Sequence, residues 1–130
     1  SRYVADFVGT SNFFNGTLTD DKDALATVRL DNGMPMQGRL GGNLAKGQDV
    51  CISVRPEQMK LHRVGDGLSV EVHNRIFLGE HTEYLVKHET LGNFLVLSPR
   101  QYEQAEGSFN AGDSALVSWE PSAALILDNT

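Results

Sequence analysis

The sequence has little of what several classes of protein require. It contains one cysteine in 130 residues, so no disulfide can form within the chain. Its 11 lysines and arginines are outnumbered by 17 aspartates and glutamates, which leaves little positive charge to neutralise a nucleic-acid backbone. No apolar run approaches the roughly 20 residues of a membrane-spanning helix. We therefore expect neither a disulfide-rich module nor a membrane-spanning protein, and no nucleic acid as partner.

Motifs for catalysis and for metal or nucleotide binding are also missing. The chain has no G-x-x-x-x-G-K-[ST] loop to hold a nucleotide phosphate. His81 and His88 are seven residues apart, so a strand would point them to opposite faces. Cys51 lies in an apolar segment, and the sequence places no base beside it. We expect no catalytic, cofactor-binding or metal-binding residues and no enzymatic activity in this chain.

What the sequence does have is an alternation of apolar and polar residues with a period of two. It is clearest in 68–78, where the even positions from Leu68 to Leu78 are predicted to face inward. Turn-forming glycines, as in the Asp31-Asn32-Gly33 segment, separate such stretches. The other predicted strands are 13–19, 24–30, 36–40, 50–54, 82–89, 94–98 and 115–119. About nine short strands at this spacing predict an all-β barrel or sandwich.

Two segments resemble each other at a distance of 65 residues. GQDVCISVRP at 47–56 aligns with GDSALVSWEP at 112–121, and each closes a strand with a proline. One interpretation is two small β-barrel halves, about 13–64 and 65–130; the other is that any two buried strands look alike. In the first case Trp119 matches Val54 and is expected to be largely buried.

The first residues have a different pattern. Tyr3, Val4, Phe7 and Val8 recur at helical spacing and are followed by Gly9, which predicts a short amphipathic helix within residues 1–12.

Four stretches together resemble one family, the transport-associated OB (TOBE) domain of ABC importer ATP-binding subunits. They are YVADFVGTSNF at 3–13, VRPE at 54–57, FLGEHT at 77–82 and GDSALVSWEP at 112–121. The most specific feature is the order of two short motifs, made of Arg55, Pro56 and Glu57, then Phe77, Leu78 and Gly79. The resemblance implies two OB-like barrel halves over 13–130. It also implies that 1–12 links them to a nucleotide-binding domain, so that this chain is part of a longer subunit.

The resemblance further implies a regulatory and dimerisation role in a subunit that imports polyamine (spermidine/putrescine) or iron. The expected partners are the nucleotide-binding domain of the same subunit, a second copy of the subunit and the permease subunits. ATP and Mg would bind the parent ATPase, on the cytoplasmic side of the cell membrane. Glu80 and Glu83 are possible effector-facing residues because carboxylates suit a cation. The alternative is a stand-alone OB-type module that binds a small oxyanion or an oligonucleotide.

Overall fold

The computed structural model describes residues 11–129, which form ten strands, one α-helix and two 3-10 helices. The strands are β1 (Asn12–Asp20), β2 (Ala26–Leu30), β3 (Pro35–Leu40), β4 (Asp49–Val54), β5 (Lys60–His62), β6 (Leu68–Phe77), β7 (His81–His88), β8 (Gly92–Pro99), β9 (Ser114–Ser118) and β10 (Leu125–Asp128). The helix α1 spans Arg100–Glu106, and the 3-10 helices span Pro56–Gln58 and Pro121–Ala123. The all-β prediction is confirmed. Within 11–129, no helix is long and apolar enough to cross a membrane.

The predicted linker helix over 1–12 falls mainly outside the described residues. Its last predicted residue, Asn12, already belongs to β1, which runs antiparallel to β4.

Of the described residues, the first of two compact units contains those up to Arg55 and again those from Glu120 onward. Its strands close a barrel in the order β1-β2-β3-β10-β4. Closure depends on β10, which pairs parallel to β3 and antiparallel to β4. Leu18, Val28 and Ile52 are fully buried in this unit, as expected for the inward phase of alternating strands.

The second unit spans Pro56–Trp119. It contains a five-stranded sheet in the order β5-β9-β6-β7-β8. Val72, Tyr84, Val86 and Val96 are fully buried here. The helix α1 follows β8 directly, and the chain then returns through β9.

The two units repeat the same strand order with one exchange. The strands β1 to β4 correspond to β6 to β9, since β1 and β6 each pair with the second and the fourth strand of their own repeat. A 3-10 helix and a fifth strand follow in both repeats. However, the fifth strand of the first repeat, β5, pairs with β9, whereas that of the second, β10, pairs with β4. Each unit therefore includes the fifth strand of the other repeat.

The limits of the compact units consequently differ from the predicted halves, 13–64 and 65–130. The repeat in the sequence marks where the strand pattern starts again, but it does not determine which sheet a short fifth strand joins. Trp119 also differs from expectation, because it is half-buried while Val54 is fully buried. The reason is that β9 ends at Ser118, so Trp119 lies just beyond the strand.

The predicted inward phase of 68–78 is right only for its first half. A β-bulge between Val72 and Asn74 shifts the register of β6 against β7. Because a bulge adds one residue to one strand, it moves later side chains to the opposite face. Ile76 and Leu78, which the alternation predicted to face inward, are 46% and 54% exposed.

Candidate functional site

The first family motif, Arg55-Pro56-Glu57, directly follows β4 and includes the start of a 3-10 helix. Pro56 is buried and begins this helix, while Arg55 and Glu57 are exposed. Proline ends the ladder because it has no N–H to donate to a neighbouring strand. The amide of Met59 donates to the carbonyl of Pro56 at 3.2 Å, and the Met59 side chain is 1% exposed. The motif thus fixes the turn that leads into β5.

The second motif, Phe77-Leu78-Gly79, forms the tip of the hairpin between β6 and β7. The Leu78 N–H donates to the carbonyl of His81 at 2.8 Å, so Gly79 and Glu80 are the two turn residues. Gly79 has a φ of +82°, the conformation that the first position of such a tight turn requires. Phe77 is 69% exposed. The motif therefore presents apolar side chains to solvent at the hairpin tip.

The two acidic candidates lie on the same hairpin in different settings. Glu80 is exposed in the turn, whereas Glu83 is half-buried in β7 opposite Ile76. Within residues 11–129, neither carboxylate forms an ion pair.

A polar cluster that the sequence analysis did not identify lies on the other face of this hairpin. Glu103, from α1, accepts hydrogen bonds on both carboxylate oxygens. The Thr82 hydroxyl donates to Oε1 at 2.5 Å, and the Tyr84 hydroxyl donates to Oε2. The amide of Phe109 donates to the Tyr84 hydroxyl oxygen at 3.2 Å. The cluster attaches α1 and the loop after it to β7.

Burial raises the pKa of Tyr84 to about 12, and the hydrogen bond to Glu103 adds to this shift. Both causes favour the neutral phenol, because an anionic tyrosinate would lose its hydration and would face the Glu103 carboxylate. Burial also raises the pKa of Tyr102, whose hydroxyl donates to the carbonyl of Leu61 at 2.9 Å.

Two arginines hold the loop between α1 and β9. Arg63 donates to the carbonyl of Ser108 at 2.8 Å, and its guanidinium carbon lies 4.1 Å from the ring centroid of Phe109. Arg75 donates to the carbonyl of Phe109 at 3.0 Å and also stacks over Phe77 at 5.2 Å. These guanidinium groups satisfy loop carbonyls, which is a structural use of arginine.

A cavity of about 280 Å³ adjoins both the hairpin motif and the polar cluster. It is lined by Phe77, Gly79, Thr82, Arg100 and Glu103. The sequence alone could not identify it, because Arg100 and Glu103 belong to α1, some twenty residues after the hairpin. The one feature of the sequence that could have indicated a polar site here is the spacing of Thr82 and Tyr84, which places two hydroxyl groups on one face of a strand.

The sequence model of the TOBE domain matches residues 52–127, more than half of the chain. The chain belongs to the TOBE domain family. The Pro56 turn and the hairpin tip at Phe77 both lie inside the matched region. As the resemblance implied, the fold is OB-like and mostly β, with a closed five-stranded barrel in the first unit. The second unit differs from the expected second barrel half, because its five strands form a sheet.

Curated relatives of this TOBE domain are ATP-binding proteins of importers. A spermidine/putrescine import ATP-binding protein PotA from Rubrobacter xylanophilus is 28% identical over 130 residues, covering 98% of this chain and 34% of the relative. PotA 1 from Pseudomonas aeruginosa is 32% identical over 131 residues, covering 98% of this chain and 35% of the relative. The chain thus spans about a third of the length of the curated relatives it matches.

A solved structure shares the fold. The cytoplasmic molybdate-binding protein ModG, crystallised with molybdate bound, superposes with a TM-score of 0.75 at 16% identity. The superposition covers 90% of this chain and 95% of the ModG chain. At this identity the similarity concerns the fold alone.

Proposed function

We propose that this TOBE domain is the C-terminal regulatory and dimerisation domain of the ATP-binding subunit of an ABC importer. The observation that carries the proposal is the extent of the similarity: 98% of the chain aligns with about a third of proteins named import ATP-binding proteins. In this role the chain itself performs no catalysis. ATP and Mg act in the nucleotide-binding domain of the same subunit.

The solute that we propose is a polyamine, with iron as the alternative that the family also includes. Both named relatives import spermidine and putrescine, which supports the polyamine. Glu80 and Glu83 would face a cationic effector, since neither carboxylate has an ion pair within residues 11–129. The partners are the nucleotide-binding domain, a second ATP-binding subunit and the permease subunits, at the cytoplasmic face of the cell membrane.

Uptake of labelled solute tests the proposal. The gene that encodes this chain is deleted from its host, and uptake of putrescine, spermidine and ferric iron is measured with and without the complementing gene. Loss of polyamine uptake alone, restored by complementation, is the expected result. Unchanged uptake of all three solutes would contradict the proposed role.

The effector role of the hairpin has a separate test in the same cells. The double variant Glu80→Gln/Glu83→Gln should keep uptake but change its inhibition by preloaded polyamine. The control is Glu89→Gln, an exposed carboxylate after the far end of β7. An equal response of the variant, the control and the unmodified protein would remove Glu80 and Glu83 from the proposal.

A second candidate function is binding of a small oxyanion, which the molybdate bound to the structural neighbour favours. The charge of −6 works against it, and Arg63 already donates to the carbonyl of Ser108. Calorimetry with molybdate and with a short oligonucleotide distinguishes the candidates. Saturable binding of either ligand would favour this second function over the first.

A further inference from the structure

One edge of the strand β6 is open near the hairpin tip. On that side β9 pairs with Leu68–Glu71, and the two residues before β9, Gly112 and Asp113, form backbone hydrogen bonds with Val72. On its other side, β6 remains paired with β7 as far as Phe77. Within residues 11–129, the segment Asn74–Phe77 therefore has a ladder partner on one side alone.

The register shows which backbone groups face the open side. Leu78 is hydrogen-bonded to His81 across the hairpin, and hydrogen-bonded positions alternate along an antiparallel pair. Ile76 consequently directs its N–H and C=O toward β7, whereas Arg75 and Phe77 direct theirs away from it. The Arg75 N–H agrees with this assignment, because it donates to the side-chain oxygen of Asn74 at 2.8 Å rather than to a strand.

The end of this segment and the residue after it carry exposed apolar side chains. Ile76 is 46%, Phe77 69% and Leu78 54% exposed. Since side chains alternate along a strand, Phe77 lies on one face of the hairpin and Ile76 with Leu78 on the other. An open edge flanked by apolar groups on both faces is a template for pairing with another strand.

We propose that this edge, Asn74–Phe77, pairs antiparallel with the same edge of a second copy of the chain, about a two-fold axis at Ile76. The inference rests on the proposed dimerisation role and assigns a surface to it. Two-fold pairing lets one patch serve both copies, as closed dimers require. The C=O of Arg75 and the N–H and C=O of Phe77 would then find strand partners, and the Arg75 N–H would exchange the Asn74 side-chain oxygen for a carbonyl of the partner strand.

Charge favours this register over the one centred on Arg75. With the axis at Ile76, Arg75 lies directly opposite the partner subunit's Phe77, and a guanidinium is attracted to an aromatic ring. The pairing extends a contact already present, because Arg75 stacks over Phe77 of its own chain at 5.2 Å. An axis at Arg75 would instead place it opposite the partner subunit's Arg75, and like charges in this position are destabilising.

The proposed contact is small, so we expect the association to be weak. Stable interfaces bury about 1,200–2,000 Å², more than a ladder of four residues per chain provides. We therefore expect a dissociation constant on the order of 0.1–1 mM for this chain by itself.

A cysteine cross-link tests the geometry. In a non-hydrogen-bonded antiparallel pair the Cα atoms are about 4.5 Å apart, within the range of a disulfide. Ile76→Cys should form a covalent dimer under mild oxidation. Val64→Cys is the matched control, because Val64 is an exposed aliphatic residue (83%) outside the edge. The native Cys51 is fully buried, so we expect it not to cross-link.

Sedimentation over a hundredfold concentration range tests the energetics. Ile76→Lys places two like charges on the axis and should weaken association up to about fivefold, whereas Val64→Lys should not. Circular dichroism of each variant verifies that it is folded. A monomer at all concentrations without cross-linking, or a dimer unaffected by Ile76→Lys, would overturn the inference. Either result leaves the proposed importer role to the uptake experiment, which measures it independently.

Discussion

Pro56 and Pro121, 65 residues apart, each begin a 3-10 helix between the fourth and the fifth strand of a repeat. The equivalence continues beyond the prolines, because Leu61 of β5 and Ile126 of β10 are also separated by 65 residues. Leu61 is 1% exposed and Ile126 is fully buried. The two fifth strands thus bury matching residues, although each does so in the unit formed mainly by the other repeat.

This exchange predicts which unit each strand stabilises. Ile126→Ala should cost about 2–5 kcal/mol and should lower hydrogen-exchange protection in β1 to β4, because Ile126 pairs with Ile52 of β4. Leu61→Ala is its matched counterpart and should affect β6 to β9, since Leu61 pairs with Val117. Loss of protection within the repeat that contains the mutated residue would contradict the exchange.

The repeat itself could be predicted from sequence, but the exchange could not. The match of 47–56 with 112–121 located β4, β9 and the turns after them. The fifth strands are only three and four residues long, and no strand was predicted at 60–62 or 125–128. A segment this short has no periodicity of its own, and its place is decided by tertiary pairing.

Tyr84→Phe should destabilise the second unit more than its single lost hydroxyl suggests. Without this hydroxyl, the Phe109 amide loses its acceptor and Glu103 loses one donor, which should cost about 1–3 kcal/mol. Tyr102→Phe is the control, because that hydroxyl is half-buried and donates only to the carbonyl of Leu61. Urea unfolding followed by circular dichroism measures both, and equal costs would argue against the cluster around Glu103.

The raised pKa of Tyr84 predicts a loss of stability at alkaline pH. The unfolded tyrosine loses its proton near pH 10, while the folded one keeps it to about pH 12. Unfolding therefore releases a proton between these values, so the free energy of unfolding should fall by up to about 1.4 kcal/mol per pH unit. The stability difference between the unmodified protein and Tyr84→Phe should shrink over this range. A constant difference would show that Tyr84 does not titrate as proposed.

At the candidate site, too, the sequence predicted the motif but not the tertiary contacts around it. Phe77, Leu78 and Gly79 were identified as a motif, and the turn at Gly79 was predictable from the glycine itself. The exposure of Ile76 was not, because a bulge near residue 73 changes the phase and leaves no simple mark in the sequence. Glu103 was missed for a related reason, since its partners Thr82 and Tyr84 come from a distant strand.

Gly16→Ala should destabilise the barrel of the first unit, because β1 and β2 approach closely at this position. A Cβ on Gly16 would lie 2.7 Å from Cγ1 of Val28 and against the carbonyl oxygen of Arg29 in β2. The backbone oxygen cannot rotate away, so the strands must separate, which should cost about 1–3 kcal/mol. Gly42→Ala is the control, since a Cβ there meets no heavy atom within 4 Å and the residue does not have a positive φ. Thermal unfolding should show a lower midpoint for Gly16→Ala and an unchanged or slightly higher one for Gly42→Ala. Equal midpoints for the two variants would mean that the glycine is not required for the contact between β1 and β2.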